Sequence, residues 1–349
     1  MKVLTDIKGI KALGMALLAS LALASCDGIL GEEDVDCSIE YRVKFKYDYN
    51  MKYANAFAHE VKSVTLYAFD ENGKFIYQRT EQGDILAEDE YTMPVEVQPG
   101  DYHLVSWAGL EGEESFAVPV LTQGVSTIDE LTCRMNRTNE RATNGSAVVK
   151  EDLKPLWHGE VTKHSFSSRA ATQQIVTVPL VKNTNNIRIV LQHLSGDAVN
   201  SDKFDFNITD ENGLMDYDNQ LLEDETLTYY AWHKSDGVAE MDPKNSSRAT
   251  TAVGVALAEL TVGRLVTENK PILTITNKET GKKVLSIPLI DYLVLVKGNY
   301  NRNMSDQEYL DRQDEYSMTF FLDENDRWVS SAIYINSWRV VLQDVNDTL

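Results

Sequence analysis

Ser38-Ile39-Glu40-Tyr41-Arg42-Val43-Lys44-Phe45-Lys46-Tyr47-Asp48-Tyr49 alternates without a break. Ile39, Tyr41, Val43, Phe45, Tyr47 and Tyr49 fall on one face, and Glu40, Arg42, Lys44, Lys46 and Asp48 on the other. A period of two sustained over this length predicts a β-strand with one face buried and one in water. Downstream, Val61 to Phe69 runs through Asp70-Glu71-Asn72-Gly73 into Lys74 to Gln78. An Asn-Gly pair between apolar runs predicts a hairpin, because a tight turn needs residues that tolerate positive φ. Tyr91 to Val97 and Asp101 to Trp107 continue the series of short strands.

Beyond the polar stretch Ser167 to Ala171 the alternation resumes at Ile175, Val178 and Leu180, then in Ile187 to Leu194. Phe204 to Thr209 enters Asp210-Glu211-Asn212-Gly213, a second copy of the strand-turn unit that suggests two related blocks in tandem. Leu289 to Val296 is apolar apart from Asp291 and reads as a buried helix. Ser305-Asp306-Gln307-Glu308 has the spacing of a helix capping box, with Ser at the N-cap and Glu three residues on. Ser317 to Leu322, Trp328 to Ile335 and Trp338 to Val345 close the chain as strands. The expectation is an all-β protein of two β-sandwiches, residues 37–168 and 169–349.

Upstream of the first strand, Lys2, Lys8 and Lys11 precede the 13 apolar and small residues Ala12 to Ala24. A bilayer span takes about 20 residues, so this is the core of a signal peptide, residues 1–25. It ends Leu23-Ala24-Ser25-Cys26, which looks like a bacterial lipobox, with Cys26 acylated and first in the mature chain. Residues 26–36 then form a tether carrying Glu32, Glu33, Asp34 and Asp36. Acids in that position resemble a signal for display outside the outer membrane.

The formal net charge is −21, and the leader contributes three lysines against Asp6, so the remainder stands at −23. Such a surface repels nucleic acid and anionic head groups, which leaves attachment to the acyl chains. Cys37 and Cys133 are the cysteines left after Cys26. In an oxidising compartment they are candidates for a disulfide.

No catalytic constellation is present. His59-Glu60 lacks the second histidine of a zinc-protease helix, and there is no C-x-x-C, G-x-S-x-G or phosphate-binding glycine loop. The six histidines are scattered. Asp70-Glu71-Asn72-Gly73, Asp210-Glu211-Asn212-Gly213 and Asp323-Glu324-Asn325-Asp326 lack the alternate ligands and terminal Glu of a calcium loop, so turns explain them better. No cofactor, metal or enzymatic activity is expected.

The run Gln307 to Tyr316, followed by Phe320-Phe321-Leu322, Trp328 and Ile333-Tyr334-Ile335-Asn336-Ser337-Trp338, resembles the closing signature of the FimB-type fimbrial anchor lipoproteins. Phe69 to Gly73, Pro99-Gly100-Asp101-Tyr102 with Trp107, Lys182-Asn183-Thr184-Asn185 and Asp210 to Gly213 extend the match upstream. Ser337 stands where the family usually has glycine. The resemblance implies two transthyretin-like sandwiches and a place at the base of an outer-membrane fimbria, with stalk subunits as partners through β-strand addition. It implies an arginine-specific cut that strips the first strand from polymerising subunits. Arg42 is the candidate site here, and an anchor is expected to keep it uncut. The donor segment, if present, is the last strand, with Trp338, Val340 and Leu342. The rival expectation is a surface lipoprotein that binds glycans for nutrient uptake, with aromatic side chains as its platform.

Overall fold

The opening alternation becomes strand β1 (Glu40–Lys46), in a computed structural model that describes residues 39–169, 172–241, 251–298, 301–336 and 338–340. Tyr41, Val43 and Phe45 are buried while Arg42 and Lys44 face outward, as the period of two requires. Among the described residues three short α-helices interrupt the strands: α1 (Phe57–Glu60), α2 (Leu289–Val294) and α3 (Asp306–Arg312). Helix α2 is the apolar run read as a buried helix, and it buries Leu289, Ile290 and Leu293.

The described strands form four sheets. The first has seven, in the order β3 (Phe75–Gln82), β2 (Ser63–Asp70), β5 (Gly100–Ala108), β9 (Trp157–Phe166), β10 (Gln173–Lys182), β1 and β4 (Met93–Val95). The second has six: β15 (His233–Met241), β16 (Thr251–Val262), β11 (Asn185–His193), β19 (Glu315–Leu322), β20 (Trp328–Ile335) and β21 (Trp338–Val340). The third orders β18 (Lys282–Pro288), β17 (Ile272–Asn277), β12 (Phe204–Asp210), β14 (Leu227–Tyr230) and β8 (Ala147–Val149). A small fourth sheet joins β13 (Leu214–Met215), β7 (Cys133–Met135) and β6 (Phe116–Ala117). Pairing is antiparallel except for β1 with β10, β11 with β19, and β14 with β8.

These pairings do not divide at residue 168. The polar stretch from Ser167 is the connection between β9 and β10, which are hydrogen-bonded neighbours in one sheet. Strand β8 lies before residue 168 yet pairs with β14, and β7 pairs with β13. The described residues from Glu40 onward form one compact unit. One apolar cluster draws Trp107, Cys133 and Leu156 from the first half and Ile187, Phe206, Leu273 and Phe320 from the second. A local drop in hydrophobicity marks a connection between strands as readily as a domain boundary.

The two copies of Asp-Glu-Asn-Gly also part company. Asp70 is a turn: its Oδ1 accepts the N–H groups of Asn72 and Lys74 at 2.9 Å, and Gly73 takes φ +73°. Asp210-Glu211-Asn212-Gly213 is a junction between β12 and β13, with Asp210 and Asn212 buried. Asn212 donates from its amide to the Arg264 carbonyl at 3.0 Å and accepts the Tyr229 hydroxyl. The true repeat of the first turn is Asp323 to Arg327. There Asp323 Oδ1 accepts from Asn325 N at 2.8 Å and Arg327 N at 2.9 Å, and Asp326 supplies the positive φ, +56°.

Candidate assembly site

Strand β1 is gripped on both sides. It runs parallel to β10 in register over its whole length, from Glu40 opposite Gln173 to Lys46 opposite Pro179. On its other side the short β4 covers Tyr41, Arg42 and Val43. Arg42 is clamped over that edge: Nε donates to Thr92 Oγ1 at 2.6 Å and Nη2 to the Thr92 carbonyl at 2.7 Å. Glu40 lies 3.5 Å from Nη1. Lys44 pairs with Glu90 at 3.1 Å, a second tie across the same margin. A protease must draw its substrate out as a free extended strand, and here that means breaking a ladder on both sides. Cleavage after Arg42 would remove only Glu40, Tyr41 and Arg42 from β1 and leave Val43–Lys46 in the sheet.

The other end of the chain supplies an edge. Strand β21 folds back on β20, pairing Trp338 with Ile335, Arg339 with Tyr334 and Val340 with Ile333. The turn places Asn336 at φ +47°. Asn336 is fixed by two bonds: its N–H donates to the Ser317 carbonyl at 2.8 Å, and its Oδ1 accepts Ser317 N–H at 2.8 Å. Among the described residues β21 is paired on one side only, so it is the outermost strand of the second sheet. The expected donor residues Trp338 and Val340 lie on that strand, and Leu342 lies outside the described residues.

Helix α3 ties the two ends of the molecule together. Ser305 Oγ accepts the Glu308 N–H at 3.0 Å, the first half of the expected capping box. The second half is not made: Glu308 Oε1 accepts instead from Arg312 Nε at 2.9 Å, one helical turn on. The Arg312 guanidinium then stacks 3.9 Å from the Tyr49 ring centre and 4.8 Å from that of Tyr53, both in the segment after β1. Lys182 at the end of β10 reaches Asp314 at 2.5 Å, beyond α3.

Cys26 and Cys37 lie outside the described residues. Cys133 is a free thiol at the middle of the apolar cluster, and burial pushes its ionisation far up. It packs as a small apolar side chain there. Among the described residues no group of three or more His, Cys, Asp or Glu side chains is arranged to hold a metal ion.

The sequence profile of the fimbrillin-A associated anchor proteins Mfa1 and Mfa2 matches residues 33–344. The chain belongs to this family. The minor fimbrium anchoring subunit Mfa2 of Porphyromonas gingivalis is 22% identical over 322 residues, covering 91% of this chain and 90% of Mfa2. The solved structure of Mfa2 superposes with a TM-score of 0.63 at 16% identity, covering 88% of this chain and 100% of that one, so the two share a fold. A candidate adhesin from Bacteroides thetaiotaomicron is 36% identical, with a TM-score of 0.76 over 88% of this chain and 98% of its own. A candidate polysaccharide-binding protein from the same organism is 33% identical, with a TM-score of 0.75 over 88% of this chain and 100% of its own. The family resemblance carried by Gln307–Tyr316 is therefore shown over nearly the whole chain. What no local pattern announced was the clamp on Arg42, since Thr92 lies 50 residues away.

Proposed function

We propose that this chain is the lipid-anchored base of a fimbria. In this reading Cys26 carries the acyl chains that hold it in the outer membrane, displayed outward, and the folded body receives the last stalk subunit by β-strand addition. Its role is structural rather than enzymatic, and it ends fibre growth and contributes to adhesion. In this reading the sheets follow the transthyretin-like pattern that the resemblance implies. The observation that carries the proposal is the family match over residues 33–344. The clamp on Arg42 supports it, because a subunit at the base must keep the segment that links it to its lipid, and β1 is the first strand of the folded body.

In this reading the last strand, β21, is the donor segment, which adds to an open edge of the stalk subunit. An unpaired edge offers a row of backbone donors and acceptors that an extended segment satisfies all at once, with alternate side chains setting specificity. The test of anchoring is Cys26→Ala. The variant is expected to leave the membrane fraction and to shed its fimbriae into the medium. Variant protein that remained with the outer membrane and kept its fimbriae attached would contradict the proposal.

A further inference from the structure

The outward face of the second sheet is not a plain solvated surface. A cleft of about 390 Å³ opens on it, floored by β11, β16 and β19. The alternation along these strands sends Ile187, Leu260 and Tyr316 into the core and leaves their neighbours outside. Glu259, Arg188 and Ser317 therefore line up across three strands as direct cross-strand partners. Three connections raise walls around this floor. The segment between β8 and β9 brings Asp152, whose Oδ1 accepts the Thr261 hydroxyl at 2.6 Å. The turn after β20 brings Asn336. The link from β14 to β15 brings Trp232, whose N–H donates to the Glu259 carbonyl at 3.0 Å.

Trp107 and Trp157 are buried in the core, whereas Trp232 is 40% exposed. An exposed indole has only two rotatable side-chain bonds, so it gives up little freedom on binding and presents a large apolar face. The polar groups around it are both donors and acceptors. Arg188 uses Nε and Nη2 on a single oxygen, Glu259 Oε1, at 3.1 and 2.7 Å. Its Nη1 and the second Glu259 oxygen make no hydrogen bond among the described residues. Glu315 is exposed and its carboxylate is likewise unpaired among them.

We propose that this cleft binds a neutral oligosaccharide, with one sugar ring stacked on Trp232 and its hydroxyls shared between Arg188, Glu259 and Asn336. A sugar hydroxyl both donates and accepts, which matches a floor of mixed carboxylate, amide and guanidinium groups. The lining carries Asp152, Glu259 and Glu315 against Arg188, so it disfavours uronates and sialylated glycans. A basic peptide would satisfy the carboxylates but set its own cations against Arg188. A relative that is 33% identical is described as a candidate polysaccharide-binding protein, and that likeness extends over 88% of this chain.

The experiment is calorimetric titration of the full chain in detergent with malto-, cello-, xylo- and manno-oligosaccharides, a polyuronate oligomer and a lysine-rich peptide. At least one neutral oligosaccharide is expected to bind and to perturb tryptophan fluorescence. Trp232→Ala and Arg188→Ala should each weaken it by about tenfold or more. Tyr53→Ala, which removes an exposed aromatic ring elsewhere, should leave binding unchanged. Thermal melting confirms that each variant is folded. Failure of every neutral sugar to bind, preference for the uronate or the peptide, or binding indifferent to Trp232→Ala would overturn the proposal. None of these outcomes depends on whether the chain anchors a fimbria.

Discussion

Asp210 holds a carboxylate in the core with one oxygen unprovided for. Oδ1 accepts from Glu211 N–H at 2.8 Å and from the Asn269 amide at 3.0 Å, while Oδ2 is buried without a partner. Burial pushes its pKa from 3.8 up to about 6, against the pull of those two donors. The folded state thus holds a proton that the unfolded state releases. The stabilisation from this group is complete below about pH 4 and is lost as pH rises through about 6. His158 works the other way. It is buried, it donates Nε2–H to the Tyr217 carbonyl at 2.7 Å, and burial lowers its pKa from 6.5 to about 4. Its contribution is present above about pH 6.5 and is lost as pH falls toward 4. The two nearly cancel over the same window. Asp210→Asn keeps the Oδ1 bonds and removes the charge, so it should raise stability at pH 7 by about 1–2 kcal/mol. It should also expose the uncompensated loss from His158 on acidification, read as a steeper fall in urea-unfolding stability between pH 7 and 4.5. Gly109 is a second decisive residue: it takes φ +90°, and a Cβ there would lie 1.9 Å from the Pro155 carbonyl oxygen. Gly109→Ala should cost about 3 kcal/mol or more, measured by thermal unfolding.

At the scale of elements, the sequence announced strands far better than it announced their neighbours. The alternation of β1 and of Phe204–Asp210 is the direct image of one buried face, and both strands lie where the pattern put them. Nothing local in β1 says that it pairs in parallel with a strand more than 130 residues later, because backbone pairing leaves no mark in side-chain period. The turns show the same limit. Asp70, Asp216 and Asp323 each close a loop in which the carboxylate accepts from the N–H groups two and four residues on. Asp216 hides this behind a sequence, Asp-Tyr-Asp-Asn-Gln, that shares only its first residue and a positive-φ Asn219 with the pattern. Asp210 matches the pattern letter for letter and is no turn, since its flanking strands diverge into different sheets. Asp70→Ala and Asp323→Ala should each cost about 1 kcal/mol in stability, as loss of a capping carboxylate does. The clamp on Arg42 makes its own prediction. An arginine-specific protease should leave the Arg42–Val43 bond of the native protein intact while cutting exposed arginines such as Arg169, and should cut it once the protein is unfolded. Mass spectrometry of the products reads the result, and a native fragment beginning at Val43 would refute the clamp.

The whole molecule is interleaved rather than strung out as two blocks. Strand β10 completes the first sheet from beyond residue 168, and β8 completes the third from before it. A fragment ending at residue 168 would strip β1 of its parallel partner, so it should lack the native sheet by circular dichroism and hydrogen exchange. The acidic balance was legible because charge is a property of the chain, whereas interleaving is a property of the fold. A base subunit that joins a stalk subunit by a shared strand while keeping its lipid makes a complex that survives SDS until heated. The most direct test is to purify the protein from its own membranes and run it unheated and heated on SDS gels, with mass spectrometry of every band. The account predicts a ladder that collapses on heating, contains a second fimbrial-type subunit, and yields this chain acylated at Cys26 and uncut at Arg42. A single monomer band with no fimbrial partner would contradict it.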